Sequence, residues 1–279
     1  MPAIRPLVHL PLLNYSIQTN HNPRGISSSS ATEPMNSIPV ALQLWSLNEA
    51  CRSDFRSTVK AVAEIGYRAV ELAGYGNLDA ARATKALDEA GLVTAGMHVG
   101  LGRLRVDLSR VIDDARLFGA KHVICPSWPK AEYTSEAACR KIGQELDSIG
   151  ADFRRNGIAF SFHNHAPEFG VVDGRRVIDW MLDASDTLNL GCELDVYWAQ
   201  IGGTAPSEFI RERSSRIRLV HLKDETELGL GPVRFPDVFS AVERIGGVDW
   251  YIVEQERYNR APLESVRICF AQLQAWGLA

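Results

Sequence analysis

Two histidines and a carboxylate lie close together in the stretch Phe160–Phe169, which reads Phe-Ser-Phe-His-Asn-His-Ala-Pro-Glu-Phe. Side chains alternate between the two faces of a β-strand, so His163 and His165 project to one side while Asn164 projects to the other. Glu168 follows in the predicted loop. Two imidazoles and a nearby acid at one strand end form a candidate site for metal binding and proton transfer.

Three later apolar runs end in the same kind of residue pair. The members of each pair stand two residues apart and therefore share one face of a strand: Glu193 and Asp195, His221 and Lys223, and Glu254 and Glu256. Isolated charges buried at strand ends would be costly, so we expect them to share a partner. A divalent metal is the simplest partner.

The composition is that of an ordinary globular protein. The chain has 279 residues, of which 46% are hydrophobic and 23% charged, and its net charge of -4 gives no electrostatic footprint for nucleic acid. No stretch approaches the roughly 18 consecutive apolar residues of a membrane span, and the five scattered cysteines suit a reducing compartment. We therefore expect a cytoplasmic protein that binds neither nucleic acid nor a membrane.

Residues 1–37 differ from the rest of the chain. They contain the run Ser27–Ser30 and several Asn and Pro residues, with no period that would bury a face. The apolar patch Leu7–Leu13 contains a His and a Pro, and no small-residue cleavage site follows it, which disfavours a secretion signal. We expect a disordered tail or a mis-called start, with Met35 as the alternative start of translation.

From Val40 onward, a strand-like run followed by helical spacing is repeated eight times, with about 30 residues per unit. The predicted strands are Val40–Trp45, Ala69–Ala73, Val93–Val99, His122–Pro126, Ile158–His163, Leu190–Asp195, Ile217–Lys223 and Trp250–Glu254. Alternating strands and helices indicate a parallel sheet, and eight units predict a single (β/α)8 TIM barrel over residues 38–279. A doubly wound open sheet is the alternative, but Leu44–Leu47 stands where its glycine-rich first turn would be.

Local signals mark the ends of the predicted helices. Five glycines precede strands at positions that suit a left-handed C-cap: Gly66, Gly91, Gly119, Gly157 and Gly246. Two helix starts have N-cap candidates, Ser53 before Asp54, and Thr134 or Ser135 before Glu136. In a barrel of this kind the active site lies at the C-terminal ends of the strands, where the titratable pairs stand.

Several motifs together resemble the xylose isomerase-like barrels, often described as sugar phosphate isomerases/epimerases. The resemblance covers about residues 38–277 and rests on Ala41–Ser46, Ala63–Tyr67, Phe162–His165, Glu193–Trp198, Val220–Asp224 and Ile252–Gln255. It implies one divalent metal, commonly Mn, Co, Mg or Zn, held at the ends of strands five to eight, usually by Glu, Asp, His and Glu. Asp195, His221 and Glu254 match the last three of these ligands.

The first ligand departs from the family pattern, because His163 occupies the position of the usual fifth-strand Glu. The resemblance leaves His163, His165 and Glu168 open as the fourth ligand, and strand phase favours His163. Family epimerases use two Glu carboxylates to move a proton, and of these only Glu254 is kept. His165 stands where the dehydratases of the family have a catalytic His.

The resemblance implies a metal-dependent isomerase or epimerase that acts on a ketose or keto-sugar. The substrate implied can be phosphorylated or not. The expected catalytic residues are His165, Glu254 and Lys223, although Lys223 could instead neutralise Glu256. The expected substrate contacts are Trp45, Glu71, His98, Glu168, Trp198 and Glu256. For the two tryptophans, packing at the barrel rim is the commoner role, and Glu168 could be only a loop acid.

Three alternatives remain beside this expectation. The same site could serve a lyase or dehydratase acting on a keto-sugar, an inosose or a keto-glycoside, and the barrel could also be a non-catalytic binding module. A DNA-repair endonuclease is disfavoured, because His221 is not followed by the additional ligands of a multi-metal site and the net charge is negative. The expected partner is a small sugar, and a homo-oligomer is possible.

Overall fold

The computed structural model describes residues 38–279. The predictions for the N-terminal tail, including the alternative start at Met35, therefore lie outside the described residues. Within residues 38–279, no helix has both the length and the apolar character that crossing a membrane requires.

Eight parallel strands close into a barrel in which each strand pairs with its neighbours in sequence and the last pairs with the first. The strands are β1 (Val40–Gln43), β2 (Ala69–Leu72), β3 (Val93–His98), β4 (His122–Cys125), β5 (Ala159–His163), β6 (Gly191–Asp195), β7 (Ile217–Leu222) and β8 (Trp250–Val253). The closed barrel confirms the predicted (β/α)8 fold and excludes the doubly wound open sheet.

At least one helix follows every strand. The α-helices of the described residues are α1 (Asn48–Ile65), α2 (Ala80–Ala90), α3 (Leu101–Val106), α4 (Leu108–Leu117), α5 (Glu136–Arg155), α6 (Val177–Asp183), α7 (Val196–Ile201), α8 (Pro206–Glu212), α9 (Phe235–Ile245) and α10 (Pro262–Ala275). Short 3-10 helices occupy Leu44–Leu47, Lys130–Glu132 and Ala166–Phe169. Between β5 and α6, Val171–Val172 and Arg175–Arg176 form a small antiparallel hairpin.

Six of the eight strands end one or two residues earlier than the sequence predicts, whereas β5 and β6 end at the predicted residue. Strand β1 shows the reason, because the Gln43 side chain accepts a hydrogen bond from the Trp45 amide at 2.9 Å. This contact turns the chain out of the sheet into the 3-10 helix Leu44–Leu47. Trp45 therefore lies in the loop above the strand rather than within it.

The helix ends follow the predicted signals with one exception. All five predicted C-cap glycines have positive φ angles, and the Ser135 side chain accepts a hydrogen bond from the Ala138 amide at 3.2 Å as an N-cap. The Ser53 cap is wrong. Helix α1 begins earlier, at Asn48, and is interrupted at Asp54, whose backbone is extended and whose carboxylate accepts from the Ser57 amide at 3.1 Å.

The inside of the barrel changes from apolar to polar along the strands. Six side chains form an apolar cluster inside it: Ala41, Ala69, Ala95, Ile124, Leu219 and Ile252. Two residues further toward the C-terminal ends, the inward positions carry functional groups, with Gln43 after Ala41, Glu71 after Ala69, His221 after Leu219 and Glu254 after Ile252. The apolar cluster thus forms the floor on which the polar residues stand.

Candidate metal centre and active site

Four side chains from the last four strand ends converge on one point. The ligand atoms of His163, Asp195, His221 and Glu254 all lie within 4.8 Å of one another, and each residue is at most 5% exposed. The register places Asp195 of β6 directly beside His221 of β7. These are the four residues that the sequence suggests as ligands, and the fold brings them together.

One buried carboxylate oxygen of Asp195 lacks a hydrogen bond and could bind a cation. Its Oδ1 accepts from the Trp198 amide at 2.8 Å, whereas its buried Oδ2 has no hydrogen-bond partner among residues 38–279. Burial raises the pKa of Asp195 to about 7, and the nearby Lys223 only partly opposes that effect. Two imidazoles and two carboxylates are a donor set that suits Mn, Co, Zn or Fe, so the residues present fit a divalent metal.

Two carboxylates beneath this set fix the orientation of its histidine rings. Glu193 Oε2 lies 3.0 Å from His163 Nδ1, and Glu71 Oε2 lies 2.8 Å from His221 Nε2. If these ring nitrogens carry the proton, the opposite nitrogens, His163 Nε2 and His221 Nδ1, keep the free lone pairs that a metal requires. Metal-binding histidines are commonly held by a carboxylate in this way.

The same carboxylates also hold His98, which completes a second possible ligand set. His98 Nε2 lies 2.6 Å from Glu193 Oε2 and 3.1 Å from Glu71 Oε2. The ligand atoms of His98, His163, Glu193 and His221 again lie within 4.8 Å of one another. We call this second set the inner set. Because His163 and His221 belong to both sets, a metal in the inner set would bind the ring nitrogens that otherwise face the carboxylates.

Glu71 and Glu193 are fully buried anions in a network of imidazoles. Burial and Glu71 would raise the pKa of Glu193, but His221 and His98 outweigh them and lower it to about 2. Burial would lower the pKa of His98, but the two carboxylates raise it to about 10. In contrast, burial holds the pKa of His163 well below its usual value, so this ring is neutral and able to bind a metal.

Glu193 is a functional candidate that the sequence analysis paired with Asp195 but gave no role of its own. The pattern of alternating faces does place Glu193 inward together with Asp195, which was the available signal. Its partners, however, come from three other strands, with His98 95 positions away and His163 30 positions away in sequence. The inward position of Glu71 depends on glycine, because a Cβ at Gly96 would lie 2.6 Å from Glu71 Oε1.

A cavity of about 540 Å³ opens above the metal-ligand candidates. Six of the candidate site residues line it: Trp45, His98, His163, His165, Glu254 and Glu256. His165 stands one pleat above His163, with the two ring centroids 5.0 Å apart. Burial, reinforced by Lys223, lowers the pKa of His165, so its imidazole is neutral and able to accept a proton near neutral pH.

Lys223 contacts both acids that follow the neighbouring strand β8. Its Nζ lies 3.2 Å from Glu254 Oε2, forms an ion pair with Glu256, and stands 5.1 Å from the centre of the Trp198 ring. Burial would raise the pKa of Glu254, but Lys223 and His221 outweigh it and hold that pKa well below its usual value. Glu254 is therefore a weak base and a permanently charged carboxylate.

Glu168 lies next to the cavity, but its carboxylate faces away from it and binds other groups of the protein. It is 2% exposed; its Oε1 accepts from the Tyr133 hydroxyl at 2.5 Å and its Oε2 from the His165 amide at 2.8 Å. The cavity lining contains neither Glu168, Glu71 nor Trp198. Glu168 holds the backbone of His165, Glu71 lies beneath the ligands, and Trp198 lies beside His165 at 5.8 Å between ring centroids.

The sequence model of the xylose isomerase-like TIM barrel family matches residues 59–271. The chain belongs to this family. No curated protein has a sequence that matches it significantly. The matched residues cover most of the barrel.

Solved structures with the same fold superpose on 85–90% of this chain. A sugar phosphate isomerase/epimerase from Parabacteroides distasonis is 24% identical with a TM-score of 0.76, covering 90% of this chain and 98% of its own. The 3-keto-D-glucoside 4-epimerase YcjR from E. coli is 15% identical with a TM-score of 0.66, covering 85% and 99%. The probable 3-DHS dehydratase AsbF from Bacillus anthracis is 13% identical with a TM-score of 0.67, covering 85% and 98%. At these identities the similarity establishes the shared fold.

Proposed function

We propose that this protein is a divalent-metal-dependent isomerase or epimerase that moves a proton next to the carbonyl group of a ketose or keto-sugar. The observation that carries the proposal is the buried Asp195 Oδ2, which has no hydrogen-bond partner among residues 38–279, lies 3.9 Å from Lys223 Nζ and belongs to a set of four candidate ligands. This set opens into a cavity that contains a neutral histidine, His165. Membership of a family with sugar epimerases among its structural neighbours supports the same class of reaction.

The proposed ligands are His163, Asp195, His221 and Glu254. A bound Mn, Co, Mg or Zn ion would polarise the substrate carbonyl and stabilise the negative charge that develops on its oxygen. Glu71 and Glu193 keep the two histidine rings in the orientation that this binding requires.

His165 is the proposed proton acceptor. It stands one pleat above the ligands, roughly 6.5 Å further along the strand direction, at the height where a sugar above them would place its reacting carbon. Because Lys223 and His221 lower the pKa of Glu254, that carboxylate is a poorer base than His165. Lys223 lies beside Glu254 and Glu256 and is the proposed donor of a hydrogen bond to a substrate oxygen.

A lyase or dehydratase is the second candidate, and His98 favours it. Glu71 and Glu193 raise the pKa of His98 to about 10 against the effect of burial, so the ring is protonated; its Nε2 faces these carboxylates, and the side chain also lines the cavity. Loss of a hydroxyl or glycosyl group requires a proton donor at the leaving oxygen. His165 as base and His98 as acid would supply the two proton transfers of an elimination.

Incubation of the metal-loaded protein with a panel of ketoses and keto-sugars in D2O tests the proposal. Isomerase or epimerase activity predicts deuterium at the carbon next to the carbonyl and a new sugar in the NMR spectrum. A lyase predicts an unsaturated ketone that absorbs in the ultraviolet. If the metal-bound wild type shows neither exchange nor product, the proposal is overturned and a binding module is the remaining explanation. The His165→Ala variant serves as the control for adventitious exchange.

A further inference from the structure

A groove of about 920 Å³ adjoins the active-site cavity. Trp45 and Glu256 line both the groove and the cavity, so the two spaces meet at these residues. The cavity of about 540 Å³ already lies in the size range of small-ligand sites, roughly 300–1,000 Å³. A single sugar ring in the cavity would therefore leave the groove unfilled.

The groove is a built feature of two loops that are tied to each other. One wall comes from Leu44–Leu47 and the first turns of α1, and the other from the segment between β8 and α10. The Gln255 amide donates to Ser46 Oγ at 2.8 Å, and the Tyr258 hydroxyl lies 2.8 Å from the Ser46 carbonyl oxygen. These contacts fix the two walls relative to each other without filling the space between them.

The interruption of α1 shapes the floor of the groove. The helix breaks at Asp54, where φ is -152° and ψ is 91°, and the Asn77 side chain accepts a hydrogen bond from the Phe55 amide at 3.0 Å. The helical turn before Asp54 is therefore not collinear with the helix that follows Asp54. Ala50 and Ser53 on that turn, and Ser57 after it, line the groove.

The chemistry of the walls suits an uncharged, hydroxylated or aromatic group. Trp45 is 39% exposed at the junction and Leu263 is 37% exposed further along, which gives flat apolar surface for the face of a ring. Asn48, Ser53 and Ser57 add hydrogen-bonding groups. Among the described residues that line the groove, the acids are Glu49, Asp54 and Glu256 and none is basic, so the lining offers no cation to a phosphate or carboxylate.

From the adjacency of the two spaces and the chemistry of the walls we infer that the groove is a second subsite, and that the substrate is a glycoside rather than a free sugar. The keto-sugar ring occupies the cavity, and its uncharged glycosidic substituent, a second sugar or an aromatic group, lies in the groove against Trp45. The inference rests on the proposed function and specifies its substrate class.

A pair of substrates that share the reacting ring tests the inference. The metal-loaded wild type is compared on a keto-sugar and on its aryl glycoside, and kcat/KM should be at least about tenfold higher for the glycoside, since pocket contacts contribute differences of this order. Ala50→Trp places a large ring in the groove and should reduce that ratio about tenfold or more. The matched control, Ala137→Trp on the exposed face of α5, should leave the ratio unchanged.

The outcomes separate the inference from the proposed function. A wild type that prefers the free sugar, or an Ala50→Trp variant that folds by circular dichroism and keeps the full ratio, overturns the second subsite but not the proposed function. A dimer that becomes a monomer in Ala50→Trp with an unchanged ratio also overturns it, because the groove would then be a subunit contact. If the wild type converts neither substrate, ligand-observed NMR with an unreactive aryl glycoside decides: binding that Ala50→Trp weakens supports the subsite, and no binding overturns it.

Discussion

His163 and His165 differ by one pleat, and their surroundings give them different chemistry. His163 is 2% exposed and its Nδ1 faces Glu193, so one ring nitrogen is held and the other is free for a metal. His165 lines the cavity beside Trp198. A histidine on a metal has its lone pair occupied and cannot be the base, so the two residues have separate roles in the proposed reaction.

We predict that His165→Ala retains its metal and loses activity by about 10²–10⁴-fold, the range for a general acid or base. His163→Ala should instead bind metal more weakly. Metal titration and single-turnover kinetics on the two variants measure these effects. If His165→Ala loses the metal while His163→Ala keeps it, the roles are reversed.

Glu193 should control metal affinity without touching the ion. Glu193→Gln keeps the shape of the side chain but removes the charge that faces His163, His98 and His221. Loss of such a carboxylate typically weakens metal binding about 10–100-fold, which a competition titration with a chelator would measure. Glu145→Gln is the control, because Glu145 is partly exposed and pairs with Arg105 on the outer surface.

The result also distinguishes the two ligand sets. An unchanged affinity in Glu193→Gln would show that this carboxylate does not orient the rings. Complete loss of metal in Glu193→Gln, together with full retention in Asp195→Asn, would place the ion in the inner set with His98.

The titratable pairs could be predicted from the sequence because strand alternation and position at a strand end are local properties, but the choice of Asp195, His221 and Glu254 from these pairs came from the family resemblance. The carboxylates beneath them could not be assigned in the same way. Glu71 and His221 are separated by 150 positions, and only closure of the barrel brings them into contact. Glu168 was equally ambiguous, because its role depends on Tyr133 from the loop after β4.

At the level of elements, helices α5 and α6 show how packing constrains the barrel wall. Gly143 in α5 faces the backbone of α6, and a Cβ there would lie 2.1 Å from the Met181 carbonyl oxygen. Gly150, two turns later, faces the backbone of Asn189, and a Cβ there would lie 1.9 Å from the Asn189 carbonyl oxygen. The two glycines allow α5 to lie directly against the segment that leads into β6.

Gly143→Ala should therefore destabilise the protein by about 1–3 kcal/mol, the typical cost of overpacking, although alanine is the better helix former. Urea unfolding would measure the change in the free energy of unfolding. Gly102→Ala in α3 is the matched control, since a Cβ there meets nothing within 4 Å, and it should be neutral or stabilise by up to about 1 kcal/mol. Equal effects in both variants would contradict the steric explanation.

The elements themselves were largely predictable, since alternating apolar runs and glycine C-caps are encoded locally. The break in α1 was the exception. Ser53 and Asp54 are both good N-cap residues, and the sequence does not show that Asn77, from the loop after β2, takes the Phe55 amide. That contact fixes the break at Asp54.

For the whole molecule, the proposed metal would link the ends of four consecutive strands, β5 to β8. A ligand that binds only the folded state stabilises it by about 2.7 kcal/mol at 100 times its dissociation constant. The metal should therefore raise the melting temperature as well as support activity. The N-terminal tail, residues 1–37, remains a sequence prediction.

The most direct test of the metal centre is elemental analysis of the purified wild type beside Asp195→Ala. Asp195 belongs to the proposed ligand set and not to the inner one. We predict about one divalent ion per wild-type chain and a metal content reduced to about a tenth or less in Asp195→Ala, with circular dichroism showing that the barrel still folds. An Asp195→Ala protein that is folded and carries undiminished metal would contradict the proposed site.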